Sequence, residues 1–389
     1  MKRLRTTSSP RLLAIVAVLV AVVAGAGIAQ ASLDDVAKPA PKPLDRALFD
    51  AANAPRVDGV TARIAFTNNL LPAGSLPENT ASPTLTGAEG RLWLANDGRL
   101  RLELQSANGD AQLVADGKRF MFYDAATKTA FTGALPQDKQ RKADREPTTL
   151  DGVRAGLAKL GRVWTLSGAQ PGTTADRPSY TVRIAPKDDG GLLGAAELAW
   201  DAACGVPLRA AVYAQGTQEP VLELEATEIS YGAIPASRID ATPPAGAKVT
   251  ELDPPTGVDA QGEPTRVTGL AAVQKRLDFP LAAPAELAGL PRRGVSLVRT
   301  ADTDGALVRY GDGLGQILVL QHRAEPEAKG LFGGRDGMTL PQVNIDGATG
   351  QELATALGTL VRFESDGISY LVAGSVPPVA AENAARGLK

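Results

Sequence analysis

Between Val60 and Ser230 apolar residues recur at every second position, and turn residues return every eight to twelve. Arg99-Leu100-Arg101-Leu102-Glu103-Leu104-Gln105 alternates strictly for seven residues. A period of two puts all its leucines on one face of an extended strand, whereas a helix needs a period of 3.6. The short run Arg91-Leu92-Trp93-Leu94 precedes it across Asn96-Asp97-Gly98, a hairpin signature. Asn108-Gly109 and Asp116-Gly117 mark the next two turns, around a strand at 112–115 and before Arg119-Phe120-Met121-Phe122-Tyr123. Further strands are predicted at 180–184, 196–200, 208–214 and 221–229. The rhythm is that of an antiparallel sandwich or barrel.

Two helical pieces interrupt the pattern, at 45–53 and 150–160. The second places Val153, Leu157 and Leu160 three and four residues apart, as one face of a helix requires, while Gly152 and Gly156 weaken it. A sheet this long needs an apolar layer over its inner face, and these two helices are short. The inner-face residues are expected to be Leu100, Leu102 and Leu104, then Phe120 and Phe122, then Val182, Leu198, Trp200, Val212, Leu222 and Leu224, with Trp93 beside them. The opposite parity (Met121, Tyr123, Tyr180) stays open for the middle strands. A concave face left incompletely filled is a cavity for an apolar ligand; a fully packed core is the alternative. The helix at 150–160 reads either as a lid over such a face, with Val153, Leu157 and Leu160 as its contacts, or as an ordinary packed connector.

The chain breaks at Thr242-Pro243-Pro244-Ala245-Gly246, and a polar, proline-containing link runs from 254 to 266. A second unit over 267–389 begins with Leu277-Asp278-Phe279-Pro280-Leu281, which Pro280 prevents from being one helix. Strands are predicted at 294–299, 306–310, 316–321, 360–364 and 369–373, with a terminal helix at 378–388, which makes this a small α+β domain. The glycine-rich segment at 330–337 reads as a loop, because no Lys-Ser/Thr pair follows to hold phosphate.

The N-terminus adds a location. Lys2, Arg3, Arg5 and Arg11 precede an apolar run over 12–28, and Ala29-Gln30-Ala31 fits a cleavage site. Residues 1–31 are expected to be a signal peptide or an uncleaved membrane anchor, and either leaves the rest outside the cytoplasm. Residues 32–44, with Lys38-Pro39-Ala40-Pro41-Lys42-Pro43, read as an extended spacer before a first domain over 45–253. Without the four signal charges, 37 basic residues face 43 acidic ones, and their scatter gives no nucleic-acid footprint. Cys204 is the sole cysteine, so no disulfide forms within the chain, and His322 is the sole histidine. A triad or a His-based zinc site would have to be built on that residue at the end of a predicted strand. Asp188-Asp189 lacks calcium-loop spacing, and Glu223 with Glu225 reads as the solvent side of a strand. No enzyme activity, cofactor or metal is expected, and the protein is expected to be a monomer.

The order of these segments resembles the LolA-like superfamily of lipoprotein carriers over about 60–249. The likeness lies in Gly90-Arg91-Leu92-Trp93 with Arg99-Leu100-Arg101-Leu102-Glu103, in Leu113-Val114-Ala115-Asp116-Gly117-Lys118 with Phe122-Tyr123-Asp124, in Trp200-Asp201 with Pro207-Leu208-Arg209, and in Ile229-Ser230-Tyr231-Gly232. It implies a mainly β fold with some α, an unclosed antiparallel barrel with a helical lid, and a cavity for lipid or lipoprotein acyl chains. The family's basic residue on an early strand corresponds to Arg101 or to Arg99. The C-terminal unit is similar to the small domain of RseB/MucB-type regulators, through Phe363-Glu364-Ser365-Asp366-Gly367-Ile368-Ser369-Tyr370 and Val372-Ala373-Gly374-Ser375-Val376-Pro377-Pro378. That likeness implies an alternative to the carrier, an envelope-stress sensor that binds an anti-sigma factor or another membrane protein through this domain.

Overall fold

The strands fall into two sheets. The computed structural model describes residues 37–71, 83–107, 109–135, 148–187, 191–252, 267–300, 303–324 and 340–388. The expected signal segment, the link at 254–266, the glycine-rich loop and Asp188-Asp189 lie outside these residues.

A helix, α1 (Leu44–Asn53), leads into β1 (Gly59–Asn68). After a single helical turn, α2 (Pro83–Thr86), the chain runs up and down through β2 (Ala88–Ala95), β3 (Leu100–Ser106), β4 (Gly109–Ala115), β5 (Arg119–Asp124) and β6 (Thr129–Ala134). Helix α3 (Leu150–Leu160) follows, then β7 (Trp164–Leu166), β8 (Gln170–Thr174), β9 (Arg177–Pro186), β10 (Leu193–Asp201), β11 (Pro207–Ala214) and β12 (Leu222–Tyr231). Pairing of β12 with β1 joins the two runs into one sheet, and β13 (Lys248–Leu252) adds in parallel along β6. The strand order ends at β13 on one side and at β7 on the other, with no pairing between them. The sheet is therefore unclosed, as expected.

The strict alternation of β3 has the consequence that the period-two rule requires. Leu92 and Leu94 register against Leu102 and Leu100, which register in turn against Leu113 and Ala115. Val60, Ala62, Ile64 and Phe66 of β1 face the same way, and so do Leu222, Leu224 and Ala226 of β12. Their core also contains Val57, Cys204 and Val206. The other face is covered as well. Val114, Met121 and Ala130 are buried there under Ile234, Ile239, Ala241 and Ala247, from the irregular segment between β12 and β13.

The Pro-rich segment is not a free spacer over its last residues. The Tyr180 hydroxyl donates to the Ala40 carbonyl, Lys42 bridges to Ala169, and the Lys42 Nζ lies 2.7 Å from Asp50 Oδ2. Proline extends the chain there, but these bonds hold it against the sheet.

The second sheet runs in the order β14 (Glu286–Leu287), β15 (Leu290–Thr300), β16 (Thr303–Tyr310), β17 (Ile317–Arg323), β21 (Ile368–Gly374), β20 (Gly358–Ser365), β19 (Ala348–Thr355), β18 (Gln342–Ile345). Two helices, α4 (Leu270–Gln274) and α5 (Pro378–Arg386), accompany it. Val308, Val319, Val361 and Val372 share a buried core with Ala381, Ala384 and Ala385 of α5, whose small side chains let the helix approach closely. Helix α4 stops before Leu277-Asp278-Phe279-Pro280-Leu281, where Phe279 fills the core and the buried Gln321 amide bonds both the N–H and the carbonyl of Ala282. The hairpin of β18 and β19 is an addition to the expected strands. It turns at Asp346-Gly347, both with positive φ.

A half-covered apolar face as the candidate functional site

Strand register decides which residues share the inner face. Counting outward from β1 in both directions, to β6 and to β9, the registered inner positions are Val, Ala, Leu, Ile, Phe, Gly, Pro, Tyr or Trp. Polar residues occur only near strand ends, as Asn68, Ser106, Asp124 and Thr129. No Lys, Arg or Glu occupies an inner position of these strands. The Asp124 carboxylate is already engaged, accepting from the Ala126 and Thr127 N–H groups of the next turn.

Eleven of the twelve expected cavity residues lie on this face. Leu100 registers against Leu94; Phe122 registers against Leu113 and Phe131; Leu224 against Phe66; Leu198 against Val182; Val212 against Leu222. The parity left open is resolved strand by strand. Met121 and Tyr123 belong to the outer cluster, whereas Tyr180 pairs with Trp200 on the inner side. Trp93 is the exception and a correction: it registers against Thr61 and Arg101 and so points outward. It lies there beneath the Arg238 guanidinium, 5.5 Å from its ring. Its neighbours Leu92 and Leu94 take the inner positions, because a strand cannot turn consecutive residues to one face.

The inner residues differ in cover. Val182 and Trp200 are buried under Ala47, Leu44 and Leu48 of α1, and Leu102, Leu104 and Leu222 are buried within the sheet's own cluster. Leu100, Phe120, Phe122, Leu198, Val212 and Leu224 are only half-buried. Leu113, Phe131 and Ile229 join them on the same face and are also half-buried. The alternation at 112–115 could have indicated Leu113, but Phe131 belongs to a strand with little sequence signal. Phe122 and Phe131 stack with ring centroids 6.5 Å apart.

Helix α1, rather than α3, covers the sheet. Helix α3 packs on α1, tied by Arg154 Nε to Asp45 Oδ2 at 2.8 Å, and the Thr149 hydroxyl caps it by accepting from Gly152 N. The Arg154 hydrogen bond holds the Asp45 carboxyl below its ordinary range. Val153 and Leu157 are half-buried, Leu160 is 48% exposed, and no residue of α3 is buried.

Most of the charge lies on the outer side; Asp124 is inward, and at the Tyr231 end of the inner face the Tyr231 hydroxyl donates to Asp201 while its ring lies 4.7 Å from the Arg177 guanidinium. Arg209 pairs with Glu197 at 2.9 Å and with Glu223, and Arg183 reaches Glu197 at 2.8 Å while lying over the Tyr213 ring. Burial pushes the Glu197 carboxyl up, but hydrogen bonds from Arg209, Arg183 and Tyr213 outweigh it and hold the group low. Glu223 and Glu225 are on this side, half-buried beside Arg209 rather than fully solvated. Arg101 pairs outward with Glu103 at 2.6 Å, and Arg99 pairs with Asp97. Neither arginine reaches the inner face. His322 Nδ1 bonds the Arg323 carbonyl at the end of β17, and Cys204 is buried. Among the described residues no three His, Cys, Asp or Glu side chains are grouped to hold a metal ion.

No family model and no curated protein matches the chain. Solved structures do align with it. MucB in complex with MucA(peri), and MucB alone, each share 16% identity over 87% of this chain and 95% or 94% of their own, with a TM-score of 0.39. A domain from Vibrio parahaemolyticus, described as an outer membrane lipoprotein-sorting protein domain, shares 9% identity over 49% of this chain and 92% of its own, with a TM-score of 0.18. Both kinds of protein that the sequence resembles are thus among its structural matches.

Proposed function

We propose that this chain is an exported, non-catalytic protein of the cell envelope that binds lipid or lipoprotein acyl chains on the inner face of its first sheet. The observation that carries the reading is the inner face of β1 to β6 and β9 to β12, apolar except near its strand ends, on which Leu100, Phe120, Phe122, Leu198, Val212 and Leu224 stay half-buried. A large apolar surface left partly in water marks a binding site. Burial of each methylene contributes about 0.8 kcal/mol, so a chain burying roughly ten gains on the order of 8 kcal/mol before the cost of ordering it. With no charge along the middle of the face, selection acts on length and shape, and any polar headgroup stays outside. Export is supported by the cationic start, the apolar run and Ala29-Gln30-Ala31.

The test is to purify the chain without detergent and analyse a solvent extract by mass spectrometry. Acyl lipid is expected from the wild type and is expected to be lost from Phe122→Asp, which puts a charge on a half-buried position without opening the core. Equal amounts of lipid from the two proteins, or none from the wild type, would sink the proposal.

A further inference from the structure

The hairpin of β19 and β20 joins Thr355 to Gly358 through two residues, Ala356 and Leu357. Such tips favour Gly, Asn and Asp, which tolerate the backbone and face water. Here the Thr355 hydroxyl accepts from the Leu357 and Gly358 N–H groups and closes the turn without them. The leucine is not in water either. It is half-buried and packs against the core cluster of the first sheet. The Ala356 N–H donates to the Leu70 carbonyl at 2.9 Å, just beyond the end of β1.

Several contacts place this tip at one end of the inner face. Asn68 of β1 registers with Leu222, the first residue of β12, and Phe66 with Ala88, the first of β2. Val212, near the end of β11, also registers with Leu222. Leu193 opens β10 at this same end, and the Leu192 N–H beside it donates to the Ser375 carbonyl and hydroxyl oxygens. The Ser375 hydroxyl donates in turn to the Leu357 carbonyl at 2.8 Å. One serine therefore holds the leucine tip and the first sheet together.

We propose that Leu357 is the end wall of the acyl-chain site, so that the second sheet sets the longest chain the first can accept. This rests on the inner face binding acyl chains, as proposed above. A chain laid along the face gains affinity with each methylene until it meets Leu357, and further methylenes then stay in water. The contact is short-range and apolar, so side-chain size at 357 moves the limit without altering the rest of the face.

The experiment measures displacement of a fluorescent polyene fatty acid from the whole chain by a series of saturated fatty acids of increasing length. In the wild type, affinity is expected to rise about fourfold per methylene and then level off. In Leu357→Ala the levelling is expected at longer chains, and an acid two carbons beyond the wild-type limit should bind roughly fifteenfold tighter than it does to the wild type. In Leu357→Phe the limit is expected at shorter chains. Shifts in opposite directions from one residue are not a product of misfolding and would support the wall. The same limit in all three proteins, with binding intact, overturns the wall while leaving the acyl-chain site standing. No binding of any fatty acid by the wild type overturns both.

Discussion

Leu100 and Leu102 lie two residues apart on β3 and face the same way, yet only Leu102 is buried. The pair separates what the inner face does for stability from what it does for a ligand. Leu102→Ala should cost about 2–4 kcal/mol in urea unfolding, since it opens a cavity in a filled cluster. Leu100→Ala should cost about 1 kcal/mol and instead weaken binding of a fatty-acid probe. Equal stability losses would show that both are core. Asp201 is a different kind of residue. Almost fully buried, it accepts from the Tyr231 hydroxyl at 2.7 Å and from the Ala203 and Cys204 N–H groups. Asp201→Ala leaves that hydroxyl and the turn without acceptors, and a loss of about 2–4 kcal/mol is expected. Glu352 adds one contribution to the pH dependence, opposite in sign to that of the lowered Asp45 and Glu197 carboxyls. Its carboxyl sits against that of Glu382, itself paired with Arg386, and burial first, then Glu382, raises its pKa above 4.5. A raised carboxyl pKa adds stability below its unfolded value, and that stability is lost as pH rises through the folded value. Thermal unfolding should show the wild type losing stability relative to Glu352→Gln as pH rises above about 4.5; no change in that difference with pH would contradict it.

At the scale of elements, α3 is the least anchored helix of the first unit. Ala substituted at Gly156 would meet nothing within 4 Å, so Gly156→Ala should favour the helix by about 0.5–1 kcal/mol. Hydrogen exchange should slow across 150–160 and nowhere else in the sheet. Slowed exchange in β3 or β4 as well would mean that α3 is coupled to the inner face. The elements that sequence made legible were those with strict alternation or an Asp-Gly or Asn-Gly turn, hence β2 to β5. Of the helices, α3 is legible by its apolar spacing. Strand β6 (Thr-Ala-Phe-Thr-Gly-Ala) is built of small residues buried on both sides, which blurs its alternation. The turn of β8 and β9 uses Ala175 and Asp176 at positive φ, where a glycine would have announced it. Trp93 faces outward against expectation because two flanking leucines and a tryptophan look alike in an apolar count, whereas register to Thr61 and Arg101 settles the face. The outer cover by residues 234–247 left no periodic signal, since that segment is irregular apart from one 3-10 turn at Ala236–Arg238.

In the whole molecule, two sheets meet through a few backbone and side-chain bonds. Gly191 has φ +68, and a Cβ there would collide with the Ser375 carbonyl oxygen. Gly191→Ala should therefore loosen the second sheet from the first, seen as a larger radius of gyration by small-angle scattering with unchanged circular dichroism. An unchanged radius would show that the remaining contacts suffice. Whether the concave face serves a ligand is a separate matter, and it has a direct readout. A palmitic-acid analogue carrying a photoreactive diazirine on its chain can be irradiated with the protein and its adducts mapped by peptide mass spectrometry. Binding on the inner face predicts adducts at Leu100, Leu113, Phe122, Val212 or Leu224, on alternate residues of neighbouring strands. Adducts at Trp93, Val114 or Met121, or no adduct at all, would contradict it.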